Sequence, residues 1–205
     1  MPKAVDVDER RRTFVAAAWD VIASDGLNAA TLRKVAAEAG CTTGSLTHYF
    51  PDRVSLLIEA LRSAHYAAGA RMFGVASSAK SPEERLRAIL LEALPLDDKR
   101  LREWKVWLAF WAESAQDAEL RDENARRYAE WREVVEDTLS PFCAAKDQLD
   151  ARATHLMALV DGLGLQIALA GQRTRDLKRT QEACLNCIDQ ILAEILRSPE
   201  EGARP

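Results

Sequence analysis

Apolar residues recur along this chain at spacings of three and four, and no stretch sustains the alternation of a half-buried strand, so the pattern predicts an all-α protein. A first helix is expected from about Asp8 to Ser24, with Phe14, Ala18, Val21 and Ile22 on one face and Asp25-Gly26 at its end. Thr31 reads as the cap of a short second helix that stops at Gly40, and Thr42 as the cap of a third that ends near Tyr49. Asp52 caps a long fourth helix, carrying Leu56, Leu57, Ala60, Leu61 and Ala64 and running to about Ala76. Ser81-Pro82-Glu83-Glu84 joins a capping residue, a proline in the first helical position and acids near the positive end of the dipole, so a fifth helix starts there and stops at Pro95. A sixth spans roughly Asp98 to Ala115, and Asp117 opens a seventh to about Leu139. Two apolar helices follow, about Gln148 to Ala170 and Arg175 to Leu196, and the polar tail from Ser198 to Pro205 is expected to fray.

The third helix breaks the amphipathic pattern. Its apolar residues are Leu46 and Phe50 alone, set among Thr43, Ser45, Thr47, His48 and Tyr49. A core helix shows a wider apolar stripe, so this one suits the groove of a DNA duplex better than a hydrophobic interior; a surface helix pair with ordinary caps is the alternative. Gly40 permits a left-handed turn between the two short helices. Thr42, Thr43 and Ser45 can donate to phosphates and base edges, and Thr47, His48 and Tyr49 extend the polar surface. Arg33 and Lys34 stand early on the second helix. Arg53 stands in the first turn of the fourth, where a cation opposes the helix dipole and gains nothing locally.

Composition bounds these readings. The 205 residues are 48% hydrophobic and 29% charged, enough for one sizeable core or a small N-terminal domain fused to a larger one. No apolar run approaches the roughly 18 residues of a membrane span, and Met1 to Arg12 lacks the apolar stretch of a signal peptide, so a soluble, cytoplasmic protein without a membrane partner is expected. The net charge of −4 is unusual for a DNA binder. Up to Ala60, Lys3, Arg10, Arg11, Arg12, Arg33, Lys34 and Arg53 face Asp6, Asp8, Glu9, Asp20, Asp25, Glu38, Asp52 and Glu59. Phosphate contact must come from locally placed cations, hydroxyls and helix N-termini instead of a broad positive field. Cys41 and Cys143 are unpaired in sequence and consistent with a reducing compartment. Cys184 and Cys187 form a C-x-x-C inside an apolar helix with no second pair or nearby His, which reads as two buried helix cysteines in preference to a zinc or redox site. His48, His65 and His155 are scattered and no nucleophile or metalloprotease motif occurs, so neither an enzyme nor a cofactor is expected.

The residues Ala30-Thr31, Val35-Ala36, Ala39-Gly40, Gly44-Ser45-Leu46, Tyr49-Phe50-Pro51-Asp52-Arg53 and Leu56-Leu57 together resemble the helix-turn-helix of TetR-family transcriptional repressors. Thr47-His-Tyr-Phe50 is similar to the Ser-His-Tyr-Phe of the BetI-like branch, the betaine-pathway repressors that respond to choline. Trp107-Leu-Ala-Phe-Trp-Ala112, Glu119-Leu-Arg121, Asn124-Ala-Arg-Arg127 and Ala158-Leu-Val-Asp-Gly-Leu163 resemble that branch's effector-domain motifs. One departure is Thr47, where the family usually has a Tyr associated with a phosphate contact. The resemblance implies an all-α fold of about nine helices: an N-terminal helix-turn-helix domain over 1–50, joined by the long fourth helix to a ligand-binding and dimerisation domain over 51–205. It implies a homodimer that binds double-stranded operator DNA and leaves it when a small-molecule effector binds, a choline-like or other cationic or amphipathic compound. A DNA-binding regulator without such an effector, controlled by a protein partner, is the alternative. Carried over by position, Arg33, Thr43, Ser45 and Tyr49 face bases or phosphates. Thr31, Thr42, His48 and Arg53 make mostly backbone contacts, with Lys34 and Thr47 on the same surface.

On the effector side, Trp104, Trp107 and Trp111 recur at i, i+3 and i+7 beside Phe110, with Tyr128 and Trp131 on the next helix. They are either core or the walls of a pocket whose π-faces suit a cation. Asp161 and Glu113 lie close to apolar runs, and a buried Asp161 needs an Arg, a backbone donor or a cationic ligand. Leu156, Val160, Leu163 and Ile167, with Ile188, Ile191, Leu192 and Ile195, make the last two helices apolar enough for a two-fold four-helix interface, or for an internal hairpin, with Gly162 and Gly164 allowing close approach.

Overall fold

Five helix starts carry the caps the sequence announces, and each cap closes on the amide three residues on. Thr31 Oγ1 accepts from Lys34 N at 3.2 Å, Thr42 Oγ1 from Ser45 N at 3.2 Å, and Asp52 Oδ1 from Ser55 N at 2.7 Å. Ser81 Oγ accepts from Glu84 N at 3.2 Å, and Asp117 Oδ1 from Leu120 N at 3.0 Å. Asp97 does the same for Arg100 N at 2.8 Å, one residue before the expected start. The computed structural model describes residues 7–170 and 174–197. The Ser198–Pro205 tail, with the fraying expected of it, and Met1–Asp6 lie outside the described residues.

Among the described residues there are nine α-helices and no strand. They are α1 (Val7–Asp25), α2 (Leu32–Glu38), α3 (Thr43–Thr47), α4 (Arg53–Ser78), α5 (Pro82–Ala93), α6 (Asp98–Ser114), α7 (Ala118–Leu139), α8 (Lys146–Leu169) and α9 (Thr174–Leu196). Two 3-10 turns, Leu27–Ala29 and Ser140–Phe142, join them where hydrophobic periodicity gives no signal. No helix among the described residues is long and apolar enough to cross a membrane.

The chain divides into two compact units, and the division does not fall at Phe50. One unit takes Met1–Ala67 and Arg102–Arg127; the other takes Ala68–Leu101 and Tyr128–Pro205. In the first, Phe14, Ala18, Val35, Leu46, Phe50, Leu57 and Leu61 form one buried cluster with Val106, Phe110 and Leu120. The three short-loop helices therefore share a core with α4, α6 and α7, since α1–α3 alone present too little apolar surface to close one. In the second unit α5 packs on both α8 and α9, and α8 on α9.

Glu123 of α7 holds the first unit together from inside. Its side chain is only 1% exposed, and both carboxylate oxygens accept from Arg62 of α4, at 2.8 and 2.9 Å. Arg126 and Arg127 add contacts at 3.0 and 3.3 Å. The Arg62 hydrogen bonds hold the Glu123 carboxyl below its ordinary value of 4.5, against the opposing effect of burial. Removing the acid leaves its cations uncompensated. Glu123→Gln is expected to lower unfolding free energy in urea by about 3 kcal/mol. Because the folded pKa is depressed, the wild-type contribution is present above pH 4.5 and is lost as pH falls through the folded value. The gap between wild type and Glu123→Gln should therefore close in acid.

Candidate functional site

The turn between α2 and α3 is made by Gly40, whose φ of +66° lies in the left-handed region where a Cβ is strained. The Gly40 amide donates to Ala37 O at 3.1 Å and that of Cys41 to Ala36 O at 2.9 Å, which closes the end of α2. α2 packs on both α1 and α3. α3 anchors itself inward through Leu46, fully buried, and through Phe50 just beyond it. Phe50 meets Phe14 edge-on at 6.5 Å, and the Arg11 guanidinium covers its ring at 4.7 Å while donating to Tyr49 O at 3.3 Å.

That anchoring leaves the polar side outward. Thr31, Arg33, Lys34, Thr42, Thr43, Thr47 and His48 are exposed, and Ser45 is half-buried. Some of these groups have local work. Thr31 and Thr42 are caps, and the Thr47 hydroxyl donates to Gly44 O at 3.1 Å. Lys34 Nζ lies 2.8 Å from Asp25, and its hydrogen bond holds that exposed carboxyl below the usual range. Tyr49 is half-buried, its ring edge-on to Phe14 at 5.3 Å and to His48 at 5.5 Å.

Arg53 departs from the expected surface. Its NH2 donates to Leu27 O at 2.8 Å, its Nε to Ala30 O at 3.2 Å, and its NH1 to Glu113 at 3.3 Å. The side chain is 30% exposed. Its position against the dipole of α4 is offset by tertiary acceptors that no local pattern reveals.

The seven residues expected around an effector fall in both units. In the first, Phe110 is fully buried and belongs to the core, and Trp104 is 7% exposed. Trp104 meets the half-buried Trp111 edge-on at 5.7 Å, and Trp107 meets His65 at 6.3 Å. In the second, Trp131 is half-buried, and Tyr128 Oη donates to Asp161 Oδ2 at 2.9 Å. The partner of Asp161 is thus a phenol, neither an Arg nor a backbone donor. Burial pushes the Asp161 carboxyl up and the Tyr128 bond draws it back down; burial and the Asp161 charge push the Tyr128 hydroxyl up.

The residues expected at a two-fold interface are mostly spent within the chain. Leu156, Val160, Leu163, Ile167, Ile188, Leu192 and Ile195 are buried in the second unit and only Ile191 is half-exposed, because α8 and α9 close on each other and on α5. The opposite stripe of α8 is Ala151, His155, Ala158, Gly162, Leu165 and Leu169, with Leu165 38% and Leu169 70% exposed. Gly162 meets nothing within 4 Å, so the close approach expected of it is not made inside the chain. Ala183, Cys187, Gln190 and Glu194 stand exposed along α9. Of the two cysteines there, only Cys184 is buried, its thiol pushed up by desolvation.

Residues 82–193 match the family described as "BetI-type transcriptional repressor, C-terminal", and residues 14–60 match "Bacterial regulatory proteins, tetR family". The chain is 31% identical over 206 residues to the HTH-type transcriptional regulator PksA of Bacillus subtilis, covering 98% of each protein. It is 35% identical over 200 residues to the HTH-type transcriptional regulator BetI of Burkholderia thailandensis, covering 94% of this chain and 98% of that protein. Among solved structures, a Saccharomonospora viridis protein in complex with choline is similar with a TM-score of 0.76 at 28% identity, over 89% of this chain and 96% of that one. A transcriptional regulator of Rhodococcus sp. Rha1 is similar with a TM-score of 0.77 at 29% identity, over 90% and 96%.

The left-handed turn supplies a direct check on how this surface is held. Gly40→Val is expected to lower thermal stability by about 1–2 kcal/mol, the cost of a left-handed non-glycine residue. Gly40→Asn should lose less than half of that, since its side chain bonds locally in that region. Equal losses would mean the turn relaxes to another conformation.

Proposed function

The chain belongs to the TetR family of transcriptional regulators, with a BetI-type C-terminal domain, and from that premise we propose that it works as a homodimer which leaves its operator when a small quaternary or cationic amine binds. It is a transcriptional repressor of the TetR/BetI type. The observation that carries the DNA half of the proposal is α3 itself, a helix with one buried side chain and an outward face of hydroxyls and His48. In a major groove, Arg33, Thr43 and Ser45 would face bases or phosphates while Thr31, Thr42 and His48 meet mostly the phosphate backbone, with Thr47 on the same surface. Lys34 can join them by letting go of Asp25. Tyr49 would add its phenol at the edge of that surface.

For the effector, Asp161 supports the reading. A carboxylate that burial disfavours, held by one phenol, gains from a cation that restores its charge compensation. The Saccharomonospora viridis protein in complex with choline makes choline the first compound to test. Tyr128 and Trp131, of the same unit as Asp161, would offer aromatic faces to such a cation. The effector can displace DNA only by binding better to a conformation whose recognition helices are wrongly spaced. α4, continuous from Arg53 to Ser78, would transmit that difference.

Two copies would meet through the outer stripe of α8, where Ala151, Ala158 and Gly162 permit close approach and Leu165 and Leu169 supply exposed apolar surface. To read one face of a duplex, such a dimer would need its two α3 helices about 34–36 Å apart, the spacing of successive major grooves.

A gel shift with DNA upstream of the chain's own gene, titrated with choline, tests the effector. Choline should release the wild type, and Asp161→Asn should need at least tenfold more of it with DNA affinity unchanged. Release should also weaken as pH falls through the raised Asp161 pKa, because the neutral acid no longer attracts a cation. A complex indifferent to choline in both proteins would sink the effector reading. Separately, sedimentation should find the wild type dimeric and Leu165→Glu largely monomeric; a dimer unaffected by that charge places the interface elsewhere.

A further inference from the structure

Resting on the reading that α3 enters DNA, we infer that Arg53 is a positioning residue of the DNA-reading unit, not a phosphate contact, and that Glu113 of α6 is the anchor that keeps it so. Each of its three guanidinium nitrogens has an internal acceptor: Leu27 O, Ala30 O and Glu113 Oε1. The two carbonyls belong to the turn that joins α1 to α2, and Ala30 directly precedes Thr31, the cap of α2. The turn's own bonds are short, Ala30 N to Leu27 O at 3.0 Å and Thr31 N to Ala29 O at 2.8 Å. Gripping this turn fixes where α2 begins, and α2 packs on α3. With these bonds kept, one N–H each on NH1 and NH2 remains, so carrying the guanidinium outward to a phosphate would break the grip on the turn.

α6 holds the same region at two further points. Arg102 pairs with Asp20 of α1, and Lys105 Nζ donates to Ala23 O at 3.3 Å, near the end of α1. Arg102 and Glu113 are eleven residues apart, three helical turns, so they share a face of α6. That face secures α1 directly and, through the Glu113–Arg53 pair, the turn that follows it. The fork of an arginine serves two carbonyls and a carboxylate at once; a lysine ammonium cannot span them in that geometry. A phosphate contact, in contrast, tolerates lysine well as a point charge.

The test uses a duplex selected by the full-length wild type from a random pool, with affinity measured across salt concentrations for Glu113→Gln, Arg53→Gln and Arg53→Lys, each checked for folding by its helical circular dichroism. Removing an acid from a DNA-binding protein should by charge alone tighten binding. The anchor role predicts the opposite: Glu113→Gln binds roughly tenfold more weakly, a typical coupling size, with an unchanged salt slope. Arg53→Gln and Arg53→Lys should lose affinity together, again with the slope preserved. The inference is overturned if Glu113→Gln binds as well as or better than wild type. It is equally overturned if Arg53→Lys keeps full affinity while Arg53→Gln flattens the slope by about 0.9 per lost phosphate contact. Should Glu113→Gln fail to fold, the Arg53 pair makes the same discrimination. A wild type that selects no duplex overturns the DNA reading and this inference together, whereas altered variants beside a binding wild type judge the inference alone.

Discussion

A helix of five residues cannot hold itself, and the outward polar face of this protein's helix-turn-helix is carried by such a helix. An isolated helix is marginal in water below roughly 12–15 residues, so the place and orientation of α3 (Thr43–Thr47) are set by what surrounds it. Thr42 caps its start, Gly40 aims it, Leu46 pins it into the unit's buried core, and Phe50 locks its exit under Arg11 and against Phe14. Each device works from the inner side. The polar outer side is left free of structural duties except the caps and the Thr47–Gly44 bond, which is the condition a recognition surface needs.

The same dependence explains why the unit recruits later parts of the chain. The core that buries Leu46 and Phe50 is completed by Val106 and Phe110 of α6 and Leu120 of α7. Glu123 then ties α7 to Arg62 of α4 with its side chain almost wholly removed from water. A buried carboxylate with three guanidiniums around it adds less net stability than its bond count suggests, because desolvation opposes the attraction. Its larger effect is on geometry, since few arrangements of α4 and α7 satisfy both carboxylate oxygens.

Cations near the reading surface are largely engaged inside the protein. Lys34 meets Asp25, Arg11 meets Glu59 at 3.6 Å, and Arg53 meets Glu113. A unit without excess basic charge thereby presents a polar, largely neutral face of hydroxyls, with His48 and Arg33 exposed on it. The aromatic residues divide in a similar way: Phe110 serves the core, whereas Tyr128 works through its hydroxyl on Asp161. Aromatic spacing at i, i+3 and i+7 could not separate these roles, because it records which face a residue occupies and not what that face meets.

Short-range features were legible from the residues alone. Thr31, Thr42, Asp52, Ser81 and Asp117 cap their helices as their positions announced, and Gly40 takes the left-handed turn, because a cap or turn closes within three or four residues whatever lies beyond. Among the described residues, hydrophobic periodicity located the long helices and the caps located the two short ones, while the 3-10 turns at Leu27–Ala29 and Ser140–Phe142 were missed. The tertiary structure alone decided which long side chains meet. Arg53 finds Glu113 across 60 residues and Arg62 finds Glu123 across 61. It also decided that the apolar stripes of α8 and α9 close on each other and on α5, leaving the stripe with Leu165 and Leu169 outside. An apolar stripe states that burial is required but carries no address for its partner, and a guanidinium accepts any carboxylate or carbonyl within reach; only the packed chain supplies the address.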